Sequence, residues 1–218
     1  LLYIMTVSSW LPDFSLLDSH CDQPNLLSLF SDLRQAILDH VTIFIIGDGP
    51  YAGIAHCISG EYSAKYTLSG YSAPILTPLA NSTFLSSVNS SFESDYAYSL
   101  FLRNHLTQSN LVLFLSDAGN SINLVRSSQM ISKLSSGIVC NTWSLSGFTG
   151  GSLASSCSNT FTIPCTDSDR LPSLQFYLLS WLFTNVLADL KTDRTQTPPF
   201  NPVVSNRIYT RTNLDKIS

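Results

Sequence analysis

Two Gly-rich turns follow directly on apolar runs. Ile43-Phe44-Ile45-Ile46 leads into Gly47-Asp48-Gly49, and Leu111-Val112-Leu113-Phe114-Leu115 leads into Ser116-Asp117-Ala118-Gly119-Asn120-Ser121. A continuous β-branched and aromatic run reads as a buried parallel strand, and a turn from such a strand into a helix presents free backbone N–H groups that attract an anion. The second turn, however, carries Asp117 where a phosphate would sit. A carboxylate within about 4 Å of a phosphate repels it by several kcal/mol at an effective dielectric near 20. The pattern is that of an anion cup with a negative charge of its own inside.

The elements that must position these turns follow from periodicity. Residues 26–40 have helical apolar spacing, with Asn25 as N-cap, and deliver the chain into a strand over 41–46. A helix over 52–62 follows the first turn, rich in small residues that allow close packing on a sheet. A short strand over 73–76, a Ser-rich loop and a helix over 95–105 come next. The second unit is the strand 111–115, the cup 116–121 and a helix over 122–134. Strands over 138–142 and 160–164 and a long apolar helix over 171–190 complete the pattern, the first of these strands closed by the turn 146–151. Strands alternating with helices imply an α/β three-layer sandwich, a central parallel sheet with helices on both faces, flavodoxin-like, its cups at the carboxyl ends of the strands.

The chain has 218 residues, enough for one large α/β domain. Charged residues make up 12% of it, about half the usual share, which suits a surface covered by partners. The net charge of −4 is unevenly spread, because residues 1–190 are acidic and 191–218 are basic, with Lys191, Arg194, Arg207, Arg211 and Lys216 around Pro198, Pro199 and Pro202. An acidic body argues against nucleic acid as the main ligand and leaves the tail as the one segment able to meet RNA or an acidic partner. The expected organisation is an N-terminal segment over 1–19, one domain over 20–190 and the basic tail over 191–218. Five cysteines without C-x-x-C spacing read as reduced thiols in an intracellular compartment, cytoplasm or organelle matrix, the mitochondrion included. No apolar run reaches membrane-spanning length, and the front has no basic signal-peptide region. The chain begins Leu1-Leu2 without Met, which leads us to expect processing or truncation there, a removed organelle presequence among the alternatives. No G-x-S-x-G, H-E-x-x-H or Walker pattern occurs, which removes support for hydrolase, zincin and nucleotide-triphosphatase chemistry. His20, His40 and His105 read as surface or capping residues, His40 at a helix end where the dipole favours a cation.

Four segments in order resemble landmarks of the sugar isomerase (SIS) domain family, most closely its branch of phosphoheptose isomerases and replication-initiator-associating proteins. Gly47-Asp48-Gly49-Pro50-Tyr51-Ala52 is similar to G-N-G-G-S-A, and Ser116 to Ser121 to S-T-S-G-N-S. Ser146 to Gly151 with Leu153 resembles T-G-x-x-G-G-x-L, and Asp169-Arg170-Leu171 resembles the A-x-R-I that opens the last helix. The resemblance implies a sugar-phosphate cup built from Gly47, Gly49, Tyr51, Ser116, Asp117, Gly119, Asn120 and Ser121. In this chain Thr has become Asp117, the next Ser is Ala118 and the sugar-contacting Ser is Tyr51.

The resemblance also implies a Glu base from the first helix after the cup, matched by Glu61, and a His acid from the last helix. There the family pattern R-I-Q-E-x-H-x-x-x-x-H meets Pro172, Ser173, Gln175 and Ser180, and neither Gln175 nor Ser180 exchanges a proton near neutral pH. His56 is the remaining candidate acid. Cys57 and Glu61, at i and i+4, are the residue of a zinc half-site that some family members have; lacking further ligands, no metal and no cofactor are expected. Two readings follow. In the first the chain is a non-catalytic SIS-domain protein acting as an interaction or structural subunit, with protein partners in a homo-oligomer or a larger, organellar assembly. In the second it is a sugar-phosphate isomerase or sugar-phosphate-binding regulator acting on a sedoheptulose 7-phosphate-like ligand, with Glu61 as base, His56 as acid and Asp117 swung outward.

Overall fold

The computed structural model describes residues 24–91, 94–134 and 137–193. The N-terminal segment, with His20 and Cys21, and the basic tail beyond residue 193 lie outside the described residues. The elements are α1 (Pro24–Leu38), β1 (Thr42–Gly47), α2 (Pro50–Leu68), β2 (Ile75–Leu76), α3 (Ser82–Ser91), α4 (Ala97–His105), β3 (Ser109–Leu115), α5 (Ile122–Ile131), β4 (Val139–Ser146), α6 (Gly151–Ser156), β5 (Asn159–Thr162) and α7 (Leu171–Asp193). The five strands form one sheet in the order β2-β1-β3-β4-β5, every pair parallel.

The two central strands explain the sheet. Every residue of β1, and all of β3 after Ser109, is buried, as strands covered on both faces must be. Ile43, Ile45, Leu111, Leu113 and Leu115 face one layer with α1, α2 and α7, while Phe44, Ile46, Val112 and Phe114 face another with α4, α5 and Leu153 of α6. The result is the three-layer sandwich expected from the sequence. Successive strands leave β1 in opposite directions, to β2 on one side and β3 on the other, so the switch point of the sheet lies between the carboxyl ends of β1 and β3. Both Gly-rich turns are placed there, where open α/β sheets form their binding crevice.

Several elements differ from the sequence reading. Asn25 is inside α1 and not its N-cap; its side chain instead donates to the Thr160 carbonyl on β5 at 3.2 Å. The Ser-rich loop is largely α3, capped by Asn81, whose Oδ1 accepts the Phe84 N–H at 3.1 Å. Hydroxyl side chains lower helix propensity, and here the cap together with Phe84 and Val88 turned inward prevails. The helix after the first cup runs on to Leu68, and β4 runs on to Ser146 because its last five residues are buried against β3 and β5.

The long helix α7 buries ten positions, from Leu171 to Leu190, and carries Pro172 in its first turn, where proline is tolerated. Its seam with α2 is closed by aromatic residues. Phe183 lies 5.1 Å from the Tyr62 ring and 6.3 Å from the Tyr66 ring, and the Tyr66 hydroxyl donates to the Phe183 carbonyl at 2.8 Å. Phe183 is fully buried, so Phe183→Ala opens a cavity between α2 and α7. The expected loss is about 3–5 kcal/mol of unfolding free energy, read as a lower denaturant midpoint.

Candidate functional site

The turns after β1 and β3 and the first turns of α2 and α5 enclose a cavity of about 450 Å³. Asp48, Gly49, Pro50 and Tyr51 line it from one side, and Ser116, Asp117, Asn120 and Ser121 from the other. Six of the eight sequence-proposed cup residues therefore meet at this cavity. Gly47 and Gly119 lie just behind, where only glycine fits. A Cβ on Gly119 would come 1.8 Å from the Gly150 carbonyl oxygen, and its φ of 72° is left-handed. That close approach lets Gly119 accept the Leu153 N–H at 2.9 Å and draws the turn after β4 onto the cup.

Two helix N-termini open on the cavity, and such ends attract anions. The chain's own carboxylates take up the donors around them. Asp48 Oδ2 accepts the Ser121 hydroxyl at 2.7 Å, and its Oδ1 accepts the Gly49 N–H at 3.0 Å and faces the Tyr98 hydroxyl at 3.4 Å. Ser121 is the N-cap of α5, yet its side chain makes no cap hydrogen bond, because the hydroxyl is turned to Asp48. Asp117 Oδ1 accepts the Ala118 N–H, and Ser116 Oγ accepts the Gly119 N–H at 3.1 Å. The Ser121 hydroxyl and the Gly49, Ala118 and Gly119 amides are thus engaged within the protein.

Asp48 is the residue that the sequence reading passed over as a charge. Its signal was there, since it occupies the Asn position of the G-N-G-G-S-A landmark. Gln175 is the second case. At the position of the family's first His it is fully buried, and its Nε2 donates to the Ser116 carbonyl at 2.7 Å and the Leu145 carbonyl at 3.1 Å. It joins the ends of β3 and β4 beneath the cup and does not reach into the cavity lining.

The structure does not bring Glu61 and His56 to the cavity. Both are exposed on α2, Glu61 ten residues past Tyr51, a helical rise of about 15 Å. Glu61 pairs with Lys65 one turn on. Cys57 is exposed and a free thiol. Among the described residues no group of three or more His, Cys, Asp or Glu comes together as a metal site. His40 Nδ1 lies 2.7 Å from the Ser72 carbonyl, and His105 stacks on Phe101 at 4.3 Å.

A phosphoheptose isomerase of Aneurinibacillus thermoaerophilus is 23% identical over 129 residues, which are 59% of this chain and 63% of that relative, so the match spans less than two thirds of the relative's length. The solved phosphoheptose isomerase of Neisseria gonorrhoeae superposes with a TM-score of 0.72 at 14% identity, over 83% of this chain and 94% of that one. The chain has the SIS-domain fold. The Vibrio vulnificus NanR protein, solved with ManNAc-6P, shares the SIS fold with a TM-score of 0.54 at 12% identity, over 86% of this chain and 65% of its own. No protein-family model matches the chain. No helix among the described residues is long and apolar enough to cross a membrane.

Among the described residues, Tyr51 supplies the one aromatic side chain of the cavity lining. Its ring is buried, and its hydroxyl has no hydrogen-bond partner among the described residues. Burial, and after it the charge of Asp117, raises the Tyr51 hydroxyl far above the ordinary tyrosine range; burial does the same for Tyr66 and, with Asp48, for Tyr98. An orphaned buried hydroxyl gives no net stabilisation, so Tyr51→Phe is expected to leave stability unchanged or raise it by up to about 1 kcal/mol in chemical denaturation. The unfolded chain releases tyrosine protons near pH 10, while the folded protein retains these three. The folded state then binds more protons than the unfolded one. Stability is therefore full below about pH 10 and falls as pH rises further, by up to about 1.4 kcal/mol per pH unit for each group, a slope that alkaline denaturation titrations measure.

Proposed function

We propose that this chain is a non-catalytic SIS-domain protein that serves as an interaction or structural subunit. The observation that carries this reading is the occupation of the cup by the chain's own carboxylates. Asp48 holds the Ser121 hydroxyl and the Gly49 amide, and Asp117 holds the Ala118 amide. A phosphate dianion entering the cavity would have to displace both carboxylates and sit among their charges, each worth several kcal/mol of repulsion at close range. The proton-transfer half of an isomerase is lacking as well, since catalysis needs acid and base within hydrogen-bond reach of the substrate. Gln175 is committed to two backbone carbonyls, and Glu61 and His56 lie outside the cup. A charge-poor surface suits burial against protein partners, in a homo-oligomer or a larger assembly, with an organelle matrix as one setting.

A second reading is favoured by one feature, the buried, unpartnered hydroxyl of Tyr51, a residue that lines the cavity. It offers a donor to a sugar, and the NanR structure shows the same fold holding a sugar phosphate. In that reading the chain is a sugar-phosphate-binding regulator or isomerase whose Asp117 releases the Ala118 amide on binding.

Calorimetric titration separates the two. Sedoheptulose 7-phosphate is expected to give no heat at millimolar concentration with the natural chain. The triple variant Asp48→Asn, Asp117→Thr, Ala118→Ser, which removes both charges and restores hydroxyls, is expected to bind it. Micromolar binding by the natural chain, abolished by Tyr51→Phe, establishes the second reading instead.

A further inference from the structure

The layer opposite α7 holds a pocket unrelated to the cup. It has a volume of about 560 Å³ and lies along α4 and α5, with Arg103, Arg126 and Lys133 on its walls and Met130 and Leu134 among its apolar lining. Eleven Lys and Arg serve the entire chain, and three of them gather here on an acidic body. Outside the pocket, Arg34 sits with Asp189 and Asp193, Lys65 with Glu61 and Arg170 with Asp167, while Lys191 is exposed near the end of α7. In the pocket, Arg126 is fixed by Asp95 at 3.1 Å and lies over the Tyr96 ring at 4.3 Å. Arg103 and Lys133 are exposed and form no ion pair among the described residues. Like charges around one depression repel, and the arrangement becomes favourable when an anionic group enters between them.

The form of that anion follows from the walls. A compact phosphate is best held by convergent backbone N–H groups at a helix N-terminus or a nest. Apart from Tyr96, which caps the start of α4, this pocket is walled by later residues of α4 and α5 and by the turn after α5, where the helical N–H groups are spent inside the helices and the carbonyl ends carry partial negative charge. Unpaired positive charge therefore resides at the two exposed heads of Arg103 and Lys133, with Arg126 held by Asp95 and with Met130 and Leu134 as apolar lining. Carboxylates spread along a chain meet that pattern one at a time, and an intervening apolar side chain covers Met130, a residue that adapts its shape to what packs on it.

We propose that this pocket docks an acidic, partly apolar peptide segment of a partner protein, with Arg103 and Lys133 as the charge contacts and Arg126 as the fixed anchor. The inference rests on the interaction role proposed above and gives that role a contact surface.

Fluorescence anisotropy of the full chain with a fluorescein-labelled peptide of alternating Glu and Leu tests it. The natural protein is expected to saturate at low salt, and the double variant Arg103→Glu, Lys133→Glu to bind at least about tenfold more weakly with an unchanged melting temperature. If that variant does not fold, Arg103→Gln with Lys133→Gln provides the same comparison. Inorganic phosphate at millimolar concentration is expected not to displace the peptide, and labelled oligo(dT) to bind more weakly than it. Absence of peptide binding, equal binding by the variants, displacement by phosphate, or tighter binding of oligo(dT) overturns the proposal. The last two would make this an oxyanion or a nucleic-acid site. The cup is read by the difference in sugar-phosphate heat between the natural chain and the Asp48, Asp117 and Ala118 variant, and the pocket by the Arg103 and Lys133 variants, so the fate of the non-catalytic reading and that of this pocket are decided by separate measurements.

Discussion

The carboxylate of Asp48 ties together the two turns on which the site depends. It accepts the Ser121 hydroxyl from across the switch point, 73 residues away in sequence, and the amide of its own neighbour Gly49. Those are the donors that the carboxyl ends of two adjacent parallel strands offer to an anion. A fold that places two helix N-termini beside each other builds up positive potential there. A negative group is favoured there, and the Asp48 carboxylate is one.

Such an arrangement holds only if the turns are kept close. Gly119 and Gly150 meet at a distance that admits no side chain, and Gly147 donates to the Asp117 carbonyl at 2.7 Å, so the cup is braced from the side of β4. Gln175 braces it from below, joining the Ser116 and Leu145 carbonyls. The lining of this cup carries two carboxylates, a tyrosine and hydroxyls, and the frame around it is made by backbone groups and glycines. Frame and lining are therefore set by different atoms, so side chains at the cup can change without altering the frame.

Charge is likewise divided between the carboxyl edge of the sheet and one of its helical layers. The switch-point crevice is acidic, and the depression along α4 and α5 is basic. Neither the cup nor that depression includes Glu61 or His56, which project from a solvent-facing part of α2. A helix carries residues separated by ten positions about 15 Å apart. Conformity to a motif along the sequence therefore does not bring Glu61 to a site that begins at Tyr51.

The sequence by itself determined the class of fold and the two Gly-rich turns after apolar strands, and it placed Gln175 and Ser180, neither of them a proton donor near neutral pH, on the last helix. Unbroken apolar runs such as Ile43 to Ile46 have no stable home other than a strand covered on both faces, and glycines at Gly47 and Gly119 mark turns with no room for a side chain. It also carried Asp48, whose charge at an Asn position was legible but unweighted. Tertiary structure alone decided that Asp48 reaches Ser121, that Gln175 is a buried brace, that Asn25 bonds to β5 rather than capping α1, and that Arg103, Arg126 and Lys133 share one pocket. Each of these joins residues far apart in the chain or on different elements. Local periodicity specifies which face a residue takes on its own element, and only the packing of elements specifies what that face meets.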